Sequence, residues 1–369
     1  MTDRTIHVLV VDDSKVAQML LVRILEADPQ IRIAGVVNDG QAALEFVNQS
    51  LPDVILMDIH MPWMDGFEAT RRIMETRPVP IVVCSATANP QEVATTFRVM
   101  EAGALACVEK PVGREHPEFE RMAAHLRDTV KMMSEVRLVR RWPRAQAALT
   151  DAPSARPMAA KSTAGGIKVI GIGASTGGPQ VLQQILARLP KGFPVPILVV
   201  QHIAHGFLPG LAEWLNQTTG FQVHIGAHGI TPLPGHVYLA PDDFHMGVSP
   251  SGRILLTTEP QQNHPQPAVS YLFRSLADVY GHAAVGVLLT GMGRDGAAEL
   301  KLMKDHGAVT IAQDRDSSVV NGMPGEAIKL GGATHVLPAN KIANGLLSVV
   351  TGETAREREW RAHSADHEQ

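Results

Sequence analysis

Five residues in the first third of the chain have the types and spacing for metal-assisted phosphoryl chemistry: Asp12 and Asp13 side by side, then Asp58, Ser85 and Lys110. Three carboxylates brought together repel strongly unless a divalent cation neutralises them, and hard oxygen ligands with an open coordination position suit Mg2+. In that chemistry Asp58 attacks phosphorus. Asp13, Asp58 and the backbone carbonyl of His60 hold the metal, Asp12 supports it, and Ser85 and Lys110 contact phosphoryl oxygens. A second set lies beyond residue 170, where Gly173-Ala174-Ser175-Thr176-Gly177 fits G-x-S-x-G. Its glycines relieve crowding in a sharp strand-to-helix turn that exposes the serine Oγ. A serine is a weak nucleophile without a base, and the base needs an orienting acid, which points to His202 and Asp295. An order Ser175, Asp295, His335 is the alternative, but His335 sits inside the last apolar strand run, so His202 is favoured.

Two other readings attach to the same glycine-rich stretch. Gly171, Gly173 and Gly177 form G-x-G-x-x-x-G, close to a dinucleotide fingerprint, yet the next strand ends in Gln201-His202 where an acid should meet a ribose. Ser175 alone also suits the N-cap of a helix beginning near Gly177. Elsewhere, His205, His228, His236, His245 and His264 show no shared ligand spacing, which argues against a zinc hydrolase, although His245 is expected near the cleft. His7 and His60 lack the partners of a phosphoryl carrier.

The elements that must position these residues are short apolar strands. Residues 6–11, 31–37, 53–57, 80–84 and 104–108 alternate with helix-length segments, and strands recur at 167–173, 196–200, 284–290, 308–312 and 333–337. Near-continuous apolar strands alternating with helices imply parallel sheets buried on both faces, with ligands at the strands' C-terminal ends. The expectation is an α/β chain of two doubly wound parallel-sheet domains: a five-stranded flavodoxin-like one and a larger Rossmann-like one. Closely spaced strands and Pro-Gly and Ser-Gly turns between 221 and 258 add an antiparallel edge or insertion. Apolar residues at helical spacing from Phe119 to Val136 predict a last helix running to about Arg141. The boundaries follow as 1–130, a helix extension and flexible linker over 131–166, a second domain over 167–350, and a charged tail over 351–369. Arg137, Arg140, Arg141 and Arg144 cluster around Trp142 as a solvated helix end or a docking patch.

Charge narrows the partners. Residues 1–130 carry 12 Lys and Arg against 19 Asp and Glu, while 167–350 carry 11 of each sign. The second domain thus lacks the basic excess that binding nucleic acid requires. No stretch nears the roughly eighteen apolar residues of a membrane span, and no leader pattern opens the chain. Cys84 and Cys107 sit in apolar strand runs as buried thiols, which fits a reducing cytoplasm.

The acid rim, with Met61-Pro62-Trp63-Met64-Asp65-Gly66 and Lys110-Pro111, closely resembles the two-component receiver family over residues 5–130. That resemblance implies a phosphoryl-aspartate at Asp58, a histidine kinase as phosphodonor, and a cis bond before Pro111. Over residues 5–350 the chain resembles the CheB family, chemotaxis response regulators that are protein-glutamate methylesterases. The motifs are GIGASTGGP at 171–179, VVQHI at 199–203, VYLAPDDFHM at 237–246, LLTGMGRDG at 288–296 and AQDRDSSVVNGMP at 312–324. The resemblance implies Ser175 as nucleophile, His202 as base and then acid, and Asp295 as its orienter, with Thr176 and Met292 lining the site. It implies methyl-accepting chemoreceptors as substrates, glutamine deamidation as a second activity, and action in the cytoplasm without membrane insertion. An unphosphorylated receiver is expected to cover the Ser175 rim and to leave it on phosphorylation. One departure stands out: where the family usually has Pro-Ser-Val-Asp-Val, this chain has Ser270 in place of the Asp, which bears on substrate contacts. The rival reading is a non-enzymatic receiver adaptor docked on a signalling array.

Overall fold

The computed structural model describes residues 4–85, 97–136, 166–258 and 265–352. The chain divides into two compact units, and each carries its own parallel sheet. In the first, β1 (Ile6–Val11), β2 (Ile31–Val37), β3 (Val54–Met57), β4 (Ile81–Ser85) and β5 (Ala106–Glu109) pair in the order β2-β1-β3-β4-β5. All four pairings are parallel. The strands are apolar along both faces because helices cover both, and β3 and β4 are buried at every residue. Each preceding turn supplies a cap: Ser14, Asp39 and Asp65 accept from the N–H groups of Ala17, Ala42 and Glu68. Strand order reverses across β1, which opens a crevice at the C-terminal ends of β1 and β3.

The last helix of this unit runs over Phe119–Ser134 and buries Phe119, Met122, Leu126, Val130 and Met133, the stripe expected from the sequence. Its expected continuation to Arg141, the basic cluster around Trp142 and the linker fall on residues 137–165, outside the described residues. The tail from residue 353 also lies outside them. The expected cis bond before Pro111 is not found: the cis X–Pro bond among the described residues is Gln266–Pro267. The isomers of an X–Pro bond differ by only about 0.5–1 kcal/mol intrinsically, so proline by itself does not select one.

The main sheet of the second unit has seven strands in the order β14-β13-β12-β6-β7-β9-β8. They are β6 (Val169–Ala174), β7 (Ile197–Gln201), β8 (Gln222–Ile225), β9 (His236–Leu239), β12 (Ala284–Leu288), β13 (Val309–Gln313) and β14 (His335–Leu337), and every pairing is parallel. The antiparallel element expected between 221 and 258 is β10 (His245–Val248) with β11 (Ile254–Thr257), a separate two-stranded sheet. The edge strand β8 itself runs parallel to β9.

Helix Val269–Tyr280 explains two of the glycines. It buries Leu272, Phe273 and Leu276 completely against the sheet, each burial worth about 1.5–3 kcal/mol. A Cβ at Gly171 would run into Leu276, and one at Gly173 into Val269. The G-x-G in β6 therefore serves close helix–sheet approach, which removes the main support for the dinucleotide reading.

Candidate functional sites

At the crevice of the first unit, Asp12 follows β1 and Asp58 follows β3, tied together by the bond from the Asp58 N–H to Val11 O at 2.8 Å. The ligand atoms of Asp12, Asp13 and Asp58 all lie within 4.8 Å of one another, and among the described residues this is the one group of three or more potential metal ligands. Lys110 reaches in from the end of β5, with Nζ 2.8 Å from Asp12 Oδ2 and 3.0 Å from Asp58 Oδ1. The Asp12 contact is an ion pair without hydrogen-bond alignment, so Oδ2 stays buried with no aligned donor. A buried carboxylate oxygen left in that state suits a cation, and the all-oxygen donor set fits a hard divalent ion.

Burial pushes the Asp58 carboxyl above its ordinary range, with Asp12 adding to the rise and Lys110 opposing it. Burial acts to lower Lys110, but the charges of Asp12 and Asp58 beside it outweigh that and hold it raised. Ser85 ends β4 and is buried. Asp13 and His60 are exposed, His60 on the turn two residues beyond Asp58. Gly66 lets that turn close, because a Cβ there would strike the Asp58 carbonyl.

In the second unit the strand order reverses at β6, so the crevice falls at the C-terminal ends of β6, β7 and β12. Ser175 leaves β6 and enters helix Gly178–Leu186 through Gly177, which holds φ 77°. That left-handed conformation favours glycine. A Cβ there would also meet Val319. The Ser175 N–H donates to Thr290 O at 3.0 Å, and Gly291 lies so close that a Cβ on it would sit 2.6 Å from the Ser175 Cβ. His202 follows β7 directly beside this turn, its N–H donating to Ala174 O at 2.9 Å. Its ring meets Asp295 through Nε2, 2.9 Å from Oδ2, which leaves Nδ1 as the nitrogen for another partner.

Asp295 is held by a feature that no sequence spacing reveals. Its Oδ2 accepts from the Val269 N–H at 2.7 Å and its Oδ1 from the Ser270 N–H at 3.1 Å. These are the first two N–H groups of helix Val269–Tyr280, which carry no intrahelical partner, so the carboxylate closes a helix N-terminus from a distant part of the chain. The preceding N–H, of Ala268, donates to Nδ1 of the buried His245 at 3.2 Å. Burial acts to raise Asp295, but the hydrogen bond and charge of His202 and the two backbone N–H groups prevail and bring it down to about 2. A depressed carboxyl contributes stability that is present above its unfolded value near 3.8 and is lost as pH falls through its folded value. Urea unfolding should therefore show about 2 kcal/mol of stability disappearing between pH 4 and pH 2. Replacing Asp295 with Asn should flatten that part of the profile.

The structure thus brings Ser175, His202 and Asp295 to one rim, with Thr176 half-buried and Met292 exposed beside it. His335 lies on β14, separated from β6 by β12 and β13. Ser270 is fully buried, and its N–H faces Asp295, so its place is behind that carboxylate rather than on an exposed surface. Sequence reasoning missed Val269 and Ser270 as Asp295 donors, Gln201, and the Thr290 hydroxyl. The Thr290 Oγ1 donates to Thr176 O at 3.0 Å and accepts from the Val320 N–H at 2.9 Å.

Comparison with known proteins identifies two families along the chain. Residues 8–117 match the response regulator receiver domain family, and residues 170–346 match the CheB methylesterase family. A relative in Nitrosospira multiformis named protein-glutamate methylesterase/protein-glutamine glutaminase is 50% identical over 351 residues, covering 95% of this chain and 99% of its own. One in Geobacter metallireducens, with the same activities in its name, is 50% identical over 93% of this chain and 99% of its own. The crystal structure of the Thermotoga maritima CheB methylesterase catalytic domain is 41% identical, covers 50% of this chain and 99% of that one, and has a TM-score of 0.48. With half of its residues shared along nearly the full length of such relatives, this chain belongs to the CheB methylesterase family and carries that family's receiver domain.

Proposed function

We propose that this chain is a phosphorylation-controlled protein-glutamate methylesterase, and a glutamine deamidase, acting on methyl-accepting chemoreceptors in the cytoplasm. The observation that carries the reading is the 2.9 Å contact of His202 Nε2 with an ionised, buried Asp295, beside a serine on the neighbouring strand end. A non-enzymatic adaptor has no use for that pair. The receiver is assigned to residues 1–130, the linker to 131–166, the catalytic domain to 167–350 and the charged tail to 351–369.

In the reaction, His202 takes the Ser175 proton on Nδ1 as Oγ bonds to the ester carbonyl carbon. Asp295 stabilises the imidazolium through Nε2. The Ser175 N–H is engaged with Thr290 O, so the oxyanion is assigned to the other backbone N–H groups lining the site, at Thr176 and Met292. Collapse breaks the bond to the methoxy oxygen, which leaves as methanol with the proton from His202. A water, deprotonated by His202, then attacks the acyl-enzyme and frees the glutamate. A glutamine side chain follows the same course with ammonia leaving.

At the receiver, Asp58 is the acceptor: its carboxylate oxygen bonds to phosphorus as the phosphorus–nitrogen bond of a kinase phosphohistidine breaks. Asp13, Asp58 and the His60 carbonyl would hold Mg2+, supported by Asp12, and the bound ion would neutralise charge on the phosphoryl oxygens. Lys110 and Ser85 contact those oxygens. No helix among the described residues is long and apolar enough to cross a membrane, and docking is assigned to the cytoplasmic parts of the receptors.

Methanol release from methylated receptor membranes tests both halves. A small phosphodonor with Mg2+ should raise release by the native protein and leave Asp58→Asn at its unstimulated rate. Equal stimulation of the two would place the control outside Asp58.

A further inference from the structure

Gln201 is the last residue of β7 and is buried, yet none of the chemistry above uses its side chain. Its Nε2 donates to Ser175 O at 2.8 Å and to His202 O at 2.9 Å. One amide group thus spends both of its protons on the backbone carbonyls of the nucleophile and of the base.

The topology explains why a side chain is needed there. Ala174 and Gln201 face each other as the last paired residues of β6 and β7, and the rung from the His202 N–H to Ala174 O is the last of the ladder. Beyond it β6 turns into helix Gly178–Leu186, so no further strand bond fixes Ser175 relative to His202. Ser175 O receives one other bond, from the Gly178 N–H at 2.8 Å, which belongs to its own turn. The Gln201 amide is the link across the gap. Two further observations mark the cost of that arrangement. Gln201 Oε1 is buried without a hydrogen-bond partner, a desolvation cost that an apolar residue would avoid. Gly178 leaves the room it occupies, since a Cβ there would run into Oε1.

We propose that Gln201 is a positioning residue that sets the Ser175–His202 geometry by bridging their carbonyls. The proposal rests on the triad reading above. It does not touch substrate, so its removal should act on turnover and not on substrate binding. Without that bridge, the serine keeps its bond to Thr290 O and the base its contact with Asp295, but nothing beyond the last strand rung ties one to the other, and misplacement of about 1 Å costs roughly a hundredfold in rate.

The test uses the full-length protein with methylated receptor membranes, and active sites are counted by endpoint labelling with a fluorophosphonate. Gln201→Met keeps length and removes both donors. Its kcat per labelled serine should fall roughly ten- to a hundredfold with KM unchanged. Gln201→Glu keeps shape but sets carboxylate oxygens against two carbonyl oxygens, and protonation returns one O–H donor. Its rate relative to the native protein should therefore rise as pH falls, a signature that a merely structural role would not produce. Unchanged kcat per labelled serine in Gln201→Met, a loss confined to KM or to the labelled fraction, or a pH-independent Gln201→Glu ratio would overturn the proposal. Ser175→Ala in the same assay separates the two levels. If it is inactive while Gln201→Met is unimpaired, positioning alone fails; if it is active, the triad reading fails.

Discussion

Ser175→Ala should abolish methanol release, with kcat falling about a million-fold, the scale seen when a triad serine is removed. The effect should be that large because alanine removes the Oγ that forms the acyl bond, and the His202 ring, held to Asp295 through Nε2, is left with no serine proton to take. What survives should be the contribution of oxyanion donors and substrate binding, on the order of 10³–10⁴ over water. The change should leave folding intact. The contact across from Gly291 is made by the Ser175 Cβ, which alanine keeps, and the structuring bonds of the elbow are made by the Ser175 backbone. Single-turnover methanol release with thermal unfolding as a companion decides the matter, and native-like release would move the chemistry to another residue.

Asp295→Asn should lower kcat by roughly 10⁴ while costing about 1–3 kcal/mol of stability, for one shared reason. The carboxylate accepts from His202 and Val269 on Oδ2 and from Ser270 on Oδ1, and it donates none. An amide has one oxygen and one donor face. If the oxygen keeps His202 and Val269, the amide N–H group opposes the Ser270 N–H. If it turns, it opposes the Val269 N–H and meets His202 with a donor. Both orientations set donor against donor, and neither supplies the charge that stabilises imidazolium. Rate and urea-unfolding measurements on the same variant should therefore change together, and the acid-side loss of stability expected of the native protein should vanish. A slow enzyme with native stability would mean that Asp295 does not close the helix N-terminus as described.

Much of this was legible in the residues. Apolar runs of four to seven residues ending in Asp, Ser or Gln-His locate both rims, because a strand's period and its terminating residue are local properties. Hence Asp12, Asp58 and Lys110, and likewise Ser175, His202 and Asp295, can be grouped from their places at or just beyond strand ends. Strand limits shift by a residue or two, as at β5 and β14, where the chain's hydrogen-bonding partners decide the ends.

Other features depended on parts of the chain far apart in sequence. G-x-G in β6 looks the same whether it admits a phosphate or a helix, and only the packing of Leu276 and Val269 on it chooses. Ser270, which as a sequence departure pointed to substrate, turns its N–H to an acid 25 residues away. The orientation of β8 follows from its pairing with β9, whereas short strands with tight turns read equally well as antiparallel. What the sequence by itself determined was therefore the kind of chemistry and the residues able to perform it, since functional groups and strand ends are written locally. Only the tertiary structure decided what holds them, the helix N-terminus on Asp295 and the Gln201 amide between Ser175 and His202, because hydrogen bonds to backbone carry no side-chain signature and arise only when register brings distant peptides together.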